Sequence, residues 1–311
     1  MDIPEAMLNR CSQILSVRMI LMSGGRKELA SIVPKDSKLE RLETGFQFTE
    51  GPLWNGSEGF LLFSDIPANR ICKWSPDKGV EVFRDPSGNS NGLTYDKQGG
   101  LLICEHGNRR LSRIDKDGTY TVLADTFQGK PLNSPNDVVA KSDGTVYFTD
   151  PTYGIEPHEQ ELPFQGVYRL DTEGRKLILL ADDFIRPNGL AFSFDETVLY
   201  IGDSSIDKRH VRAFDVDPDG TLSNGHVFAE ILSELPGNPD GIKVDIEGHL
   251  YISAAGGIWV FSQDREHLGI VGTPEIPANC AWGDRDWRTL FITARTSIYR
   301  VKTGVQGVST P

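Results

Sequence analysis

A chain of 311 residues, 38% apolar and 24% charged, has a globular composition and room for one large domain or two ordinary ones. Its 44 acidic residues outnumber 32 basic ones, and the formal charge of −12 repels nucleic acid and anionic membrane, so neither is an expected partner. Cys11, Cys72, Cys104 and Cys280 contain no Cys-x-x-Cys pair and read as reduced packing thiols of a cytoplasmic protein rather than a disulfide framework or metal ligands.

In chain order, residues 1–30 form an extension expected to be helical or disordered. Its apolar stretch is interrupted by Arg10 and Arg18, leaving no secretory h-region and nothing long enough to span a membrane. A lone strand-like segment follows at 38–44. Then one pattern recurs: a polar residue, a small or turn residue, and apolar alternation. It appears as Glu50-Gly51-Pro52-Leu53-Trp54, Asn91-Gly92-Leu93-Thr94-Tyr95, Asn136-Asp137-Val138-Val139, Asn188-Gly189-Leu190-Ala191-Phe192, Asp240-Gly241-Ile242-Lys243-Val244 and Asn279-Cys280-Ala281-Trp282. The lead residues are spaced by 41, 45, 52, 52 and 39 positions, the period of four-stranded propeller blades.

Each copy is followed by a second β-like run, such as Thr145-Val146-Tyr147-Phe148, and a third, such as Val167-Tyr168-Arg169-Leu170. β-branched and aromatic residues bounded by Gly, Asp and Pro mark these as strands. The sixth copy runs out of chain after its third strand, and the segment at 38–44 is left to supply the missing outer one. The predicted fold is therefore all-β: a six-bladed β-propeller over residues 31–311, with the N-terminal strand completing the last blade and leaving no exposed sheet end.

In a closed propeller the innermost strands line the axis, which brings the six lead residues, Glu50, Asn91, Asn136, Asn188, Asp240 and Asn279, to one height. Each alone reads as a turn residue before Gly. Together they form a ring of oxygen donors with two carboxylates, and like charges so close call for a cation. All-oxygen donors suit Ca²⁺, Mg²⁺ or Mn²⁺; without His or Cys in register, Zn²⁺ would bind with lower selectivity. Strand direction places the loops at 106–110, 151–165, 204–209 and 254–257 around this end. His106, Arg109 and Tyr153 are candidates to contact substrate there, each with a plain loop role as the competing reading. The loop at 151–165 is long enough to serve as a lid.

These motifs carry a resemblance to a known family. Thr49-Glu50-Gly51-Pro52-Leu53-Trp54, Ser134-Pro135-Asn136-Asp137, Arg186-Pro187-Asn188-Gly189 and Asn238-Pro239-Asp240-Gly241 resemble the gluconolactonase and regucalcin (senescence marker protein) family, over about residues 38–301. Cys104-Glu105-His106-Gly107-Asn108-Arg109-Arg110 looks like its bacterial members in particular. The resemblance implies a six-bladed propeller with one axial divalent metal, usually Ca²⁺ or Zn²⁺, and hydrolysis of a small-molecule sugar lactone. Carried over by motif, the metal ligands fall on Glu50, Asn188 and Asp240, with Asn136 on the metal or one water away, and the acid–base residue falls on Asp240. Asn91 and Asn136 would orient substrate. Regucalcin has an Arg two positions before the third-blade Asn; here that position is Ser134, so that sugar contact is not carried over. Water activated directly by the metal is an alternative to Asp240 as base. Two rival readings stay open: a diisopropyl-fluorophosphatase-like hydrolase on the same scaffold, and a non-catalytic propeller with a structural metal. The sequence sets no oligomeric state.

Overall fold

The computed structural model describes residues 16–17, 21–22, 29–171 and 176–309. The repeats form six antiparallel sheets, and in five of them the four strands of the blade are consecutive in sequence. Blade one is Thr49–Asn55, Phe60–Asp65, Arg70–Ser75 and Gly79–Arg84. Blades two to five have inner strands Ser90–Tyr95, Val138–Ala140, Pro187–Phe192 and Ile242–Val244. Blade six has Pro277–Gly283, Thr289–Ala294 and Ser297–Lys302, and its fourth strand is the N-terminal Leu39–Thr44. Arg300 Nε also donates to Glu40 Oε2 at 2.8 Å across this seam. The closure expected at 38–44 is the one found.

Most of the extension over 1–30, Cys11 included, lies outside the described residues. Ser16–Val17 pairs beside Leu39 and Glu40 as a fifth strand of blade six, and Leu21–Met22 pairs with Ile270 and Val271 at the edge of blade five. Among the described residues no helix is long and apolar enough to cross a membrane.

Alternating apolar residues on both faces of each sheet build six buried clusters, one between each pair of neighbouring blades. Leu53, Leu62, Leu93 and Ile103 join blades one and two, whereas Trp54, Phe63 and Phe291 join blades one and six. Trp54 stacks on Phe291 with centroids 5.1 Å apart, which adds to the burial term. Cys72, Cys104 and Cys280 are buried free thiols in these layers.

The Gly after the lead residue has a packing role, and at Gly51 it also takes a left-handed backbone with φ of +52°. A β-carbon on Gly189 would lie 2.1 Å from the carbonyl oxygen of Asp240, and one on Gly51 2.0 Å from that of Asn91. The inner strands converge on the axis so closely that backbone meets backbone there. Gly189→Ala is expected to destabilise the protein by about 3 kcal/mol or more, because overpacking against main chain cannot relax by a rotamer change. A thermal melt within a degree or two of wild type would show that the strands can part.

Candidate active site

At the start of the inner strands the ladder is irregular. Register shifts fall between Glu50 and Leu53, Ser90 and Leu93, Pro187 and Leu190, and Pro277 and Asn279. In blades three and five the same irregularity shows in hydrogen bonds: Asn136 N donates to Thr149 O, whose residue donates back to Asp137 O, and Asp240 N donates to Ser253 O, whose residue donates back to Gly241 O. Two inner-strand residues thus oppose one, a bulge that re-aims a side chain. Glu50, Asn91, Asn136 and Asn188 are buried at this end, and Asp240 is partly open to solvent.

The amides form a chain. Asn91 Nδ2 donates to Asn136 Oδ1 at 2.7 Å, Asn136 Nδ2 to Asn188 Oδ1 at 2.5 Å, and Asn188 Nδ2 to Ser204 Oγ at 2.9 Å. His106 Nε2 lies 3.3 Å from Asn91 Nδ2 and 3.2 Å from Asn136 Oδ1. Burial lowers the His106 pKa to about 4, so the ring is neutral at neutral pH. Tyr153 Oη is 3.4 Å from Asn188 Nδ2, and Arg186 sits over the Tyr153 ring.

Glu50 and Asp240 complete the cluster as two acids close enough for the charge of Glu50 to act on Asp240. Burial first, then the charge of Asp137, pushes the Glu50 carboxyl up to about 7. Desolvation, then the charges of Glu50 and Asp137, holds Asp240 well above the usual carboxylate range. Two acids resisting ionisation beside a row of three amides are a donor set that a hard divalent cation would satisfy. Among the described residues no three His, Cys, Asp or Glu side chains gather as a metal group, so any ion here draws on the amides as well. A cavity of about 630 Å³ between blades one and two is lined by Trp54, Phe60, Tyr95 and Trp287. It contains none of these buried acids and offers no comparable chemistry.

The register corrects one expectation. Asn279 is not in line with the other five lead residues. Gly92 N donates to Asn136 O, and Gly241 N donates to Ala278 O, so the blade-six residue at lead height is Ala278. Asn279 instead matches Asp137: each accepts the N–H of its own next residue, Cys280 or Val138, at 2.9 Å. The spacing pattern slipped by one because Asn is the polar residue in an Ala-Asn-Cys run where Ala carries the register.

Arg109 is tied to the loop before Asn136, its Nε donating to Leu132 O at 2.7 Å and Asn133 O at 3.1 Å. No hydrogen bond among the described residues joins it to the axial cluster. The loop at 151–165 brings Tyr153 to the cluster near its start. It is fastened by Gly154 N on Ser134 Oγ at 3.0 Å and by Leu162, buried between blades two and three. Sequence reasoning missed Asp137, Lys243 and Ser204. The signal for Asp137 was present, since Gly occupies the same position in four other copies.

Residues 48–296 match the family model described as the SMP-30/gluconolactonase/LRE-like region. The chain is a member of that family. It is 36% identical over 304 residues to a gluconolactonase of Zymomonas mobilis, covering 90% of this chain and 85% of that protein. It superposes on a gluconolactonase of Xanthomonas campestris with a TM-score of 0.84 and 34% identity, over 93% of this chain and 96% of that one. A calcium-binding regucalcin of Agrobacterium tumefaciens shares the fold, with a TM-score of 0.74 and 20% identity over 87% of this chain and 95% of that one.

Proposed function

We propose that the protein is a metal-dependent hydrolase that opens a sugar lactone of the gluconolactone type to its aldonic acid. The observation that carries this reading is the Glu50–Asp240 carboxylate pair closed by the amides of Asn91, Asn136 and Asn188 at one end of the axis, in a chain of the gluconolactonase family. Glu50, Asn188 and Asp240 would hold the ion, with Asn136 beside it. The oxygen donors favour Ca²⁺ first, with Mg²⁺, Mn²⁺ or Zn²⁺ as alternatives. When bound, the ion supplies Lewis-acid polarisation of the lactone carbonyl.

The chain's own residues do the rest. Asp240, the acid most open to the mouth of the channel, takes a proton from the attacking water as its oxygen bonds to the carbonyl carbon. The same proton passes to the ring oxygen as the ring C–O bond breaks, so the product is a carboxylic acid and a free hydroxyl. Asn91 and Asn136, already in a hydrogen-bonded row, orient the sugar hydroxyls, and neutral His106 supports them. Tyr153 stands at the entrance. Arg109 contributes by holding the loop that carries Asn136. The acidic chain with buried free thiols suits a reducing cytoplasm.

The test is hydrolysis of D-glucono-1,5-lactone by metal-stripped protein, reloaded in turn with Ca²⁺, Mg²⁺, Mn²⁺ and Zn²⁺, beside a diisopropyl fluorophosphate assay. Restored lactone turnover supports the reading. Turnover of the organophosphate alone transfers the site to phosphorus chemistry, and no turnover of either removes the enzyme assignment. Tyr153→Phe is expected to raise KM about two- to tenfold with kcat nearly unchanged, the effect of losing one hydrogen bond to substrate. A fall in kcat with unchanged KM would place Tyr153 in the chemical step instead.

A further inference from the structure

Beneath the lead residues lies a second layer that the proposed chemistry does not use. Four of its six positions are Gly51, Gly92, Gly189 and Gly241, and the other two are Asp137 and Asn279. These belong to blades three and six, which face each other across the ring, and they meet at the axis: Asn279 Nδ2 donates to Asp137 Oδ2 at 3.4 Å. The glycines leave the room for this, since a β-carbon on Gly92 would lie 2.7 Å from Asp137 Oδ1 and one on Gly241 2.0 Å from Asn279 Oδ1. Lys243, on the inner strand of blade five, closes the layer from below. Its Nζ donates to Ile242 O at 2.9 Å and to Asn279 Oδ1 at 3.4 Å. The Lys243 side chain also lines a cavity of about 150 Å³ at the opposite end of the channel, among Val139, Ala191 and Trp282.

The charges in this stack can be counted. Among the described residues, Glu50, Asp137 and Asp240 are the acids of this stack and Lys243 is the basic residue placed among them; its charge acts on both Glu50 and Asp137. Other buried acids near this end have partners of their own. Asp65 pairs with Arg70 and Glu105 with Arg110, while Asp150 accepts the N–H groups of Asn133 and Ser134 and Asp203 those of Ile185 and Ser205. With all four axial groups ionised, the channel is left two negative charges in excess.

We propose that Lys243 sets the charge selectivity of the axial cation site: it offsets Asp137 through Asn279, so that the channel matches a divalent ion and works against a trivalent one. This rests on the reading that Glu50 and Asp240 hold a cation. Lys243 makes its hydrogen bonds to Ile242 and Asn279, not to the residues that would hold the ion, and acts through the field it sets, which in a channel of low dielectric is felt beyond the first contact. Removing its charge strengthens attraction in proportion to the charge of the ion, so a trivalent ion gains more than a divalent one.

The experiment is calorimetric titration of metal-stripped protein with Ca²⁺ and with Tb³⁺, an oxygen-seeking trivalent ion. It is carried out on wild type, Lys243→Met, Lys243→Arg and the double variant Lys243→Met with Asp137→Asn. Lys243→Met is expected to raise the ratio of Tb³⁺ to Ca²⁺ affinity about tenfold and Ca²⁺ affinity itself by more. Lys243→Arg should keep the wild-type ratio. The double variant, again two charges in excess, should return to it. An unchanged ratio in Lys243→Met overturns the proposal, and so does a shifted ratio that Asp137→Asn fails to restore, because Lys243 would then act by shape. Should Lys243→Met not fold, Asp137→Asn alone is read: one charge in excess should lower the ratio about tenfold, and no change overturns the proposal. Wild type that binds neither ion strikes down the metal reading itself, a result distinct from these.

Discussion

Asp240→Asn is expected to lower kcat on D-glucono-1,5-lactone by about 10²- to 10⁴-fold, the range lost with a positioned general base. The same substitution should leave the fold intact and make the metal-free protein more resistant to heat at pH 8. Asp240 and Glu50 repel each other in a desolvated cluster, and Asn keeps the shape while removing one of the two charges. Both effects together distinguish a catalytic carboxylate from a structural one, whose loss would lower stability. Turnover within a few-fold of wild type would take Asp240 out of the mechanism and leave water activated at the cation as the remaining route.

The second large effect concerns pH and the cation. Glu50 stands at about 7 in the folded chain against 4.5 in the unfolded one. Its contribution to the stability of metal-free protein is therefore fully present below pH 4.5 and lost as pH rises through about 7. Above that, holding Glu50 charged costs on the order of 3 kcal/mol. A bound cation reverses the sign, because it needs the carboxylates ionised and protons compete with it. The gap between melting temperatures in excess Ca²⁺ and in chelator should widen steadily from pH 5 to pH 8. A gap that stays constant over that range would mean that no cation binds at Glu50 and Asp240.

Membership follows from motifs matched over residues 48–296, and the propeller follows from their spacing. Asp137 in place of a second-layer glycine and Lys243 in an otherwise apolar run are departures from the chain's own repeat, and departures from a repeat mark positions where packing alone does not choose the residue.

Period and composition determined the architecture without coordinates. Six copies of an apolar alternation, each too short to bury its own faces, close as a ring of sheets, and a last copy lacking its outer strand takes Leu39–Thr44 from the other end of the chain. Glu50, Asn91, Asn136, Asn188 and Asp240 could likewise be placed at one height, because strand register repeats with the blade. Tertiary structure decided what a one-residue shift conceals: Ala278 stands where Asn279 was expected, and Asn279 reaches Asp137 in the layer below. It also decided that Arg109 serves a loop while Ser204 joins the amide row, since a loop side chain's direction follows from the carbonyls and neighbours it meets in space. A repeating strand pattern carries which face a residue takes; how close six backbones come at an axis, and which polar groups they press together, depends on contacts between blades some 40 or more residues apart.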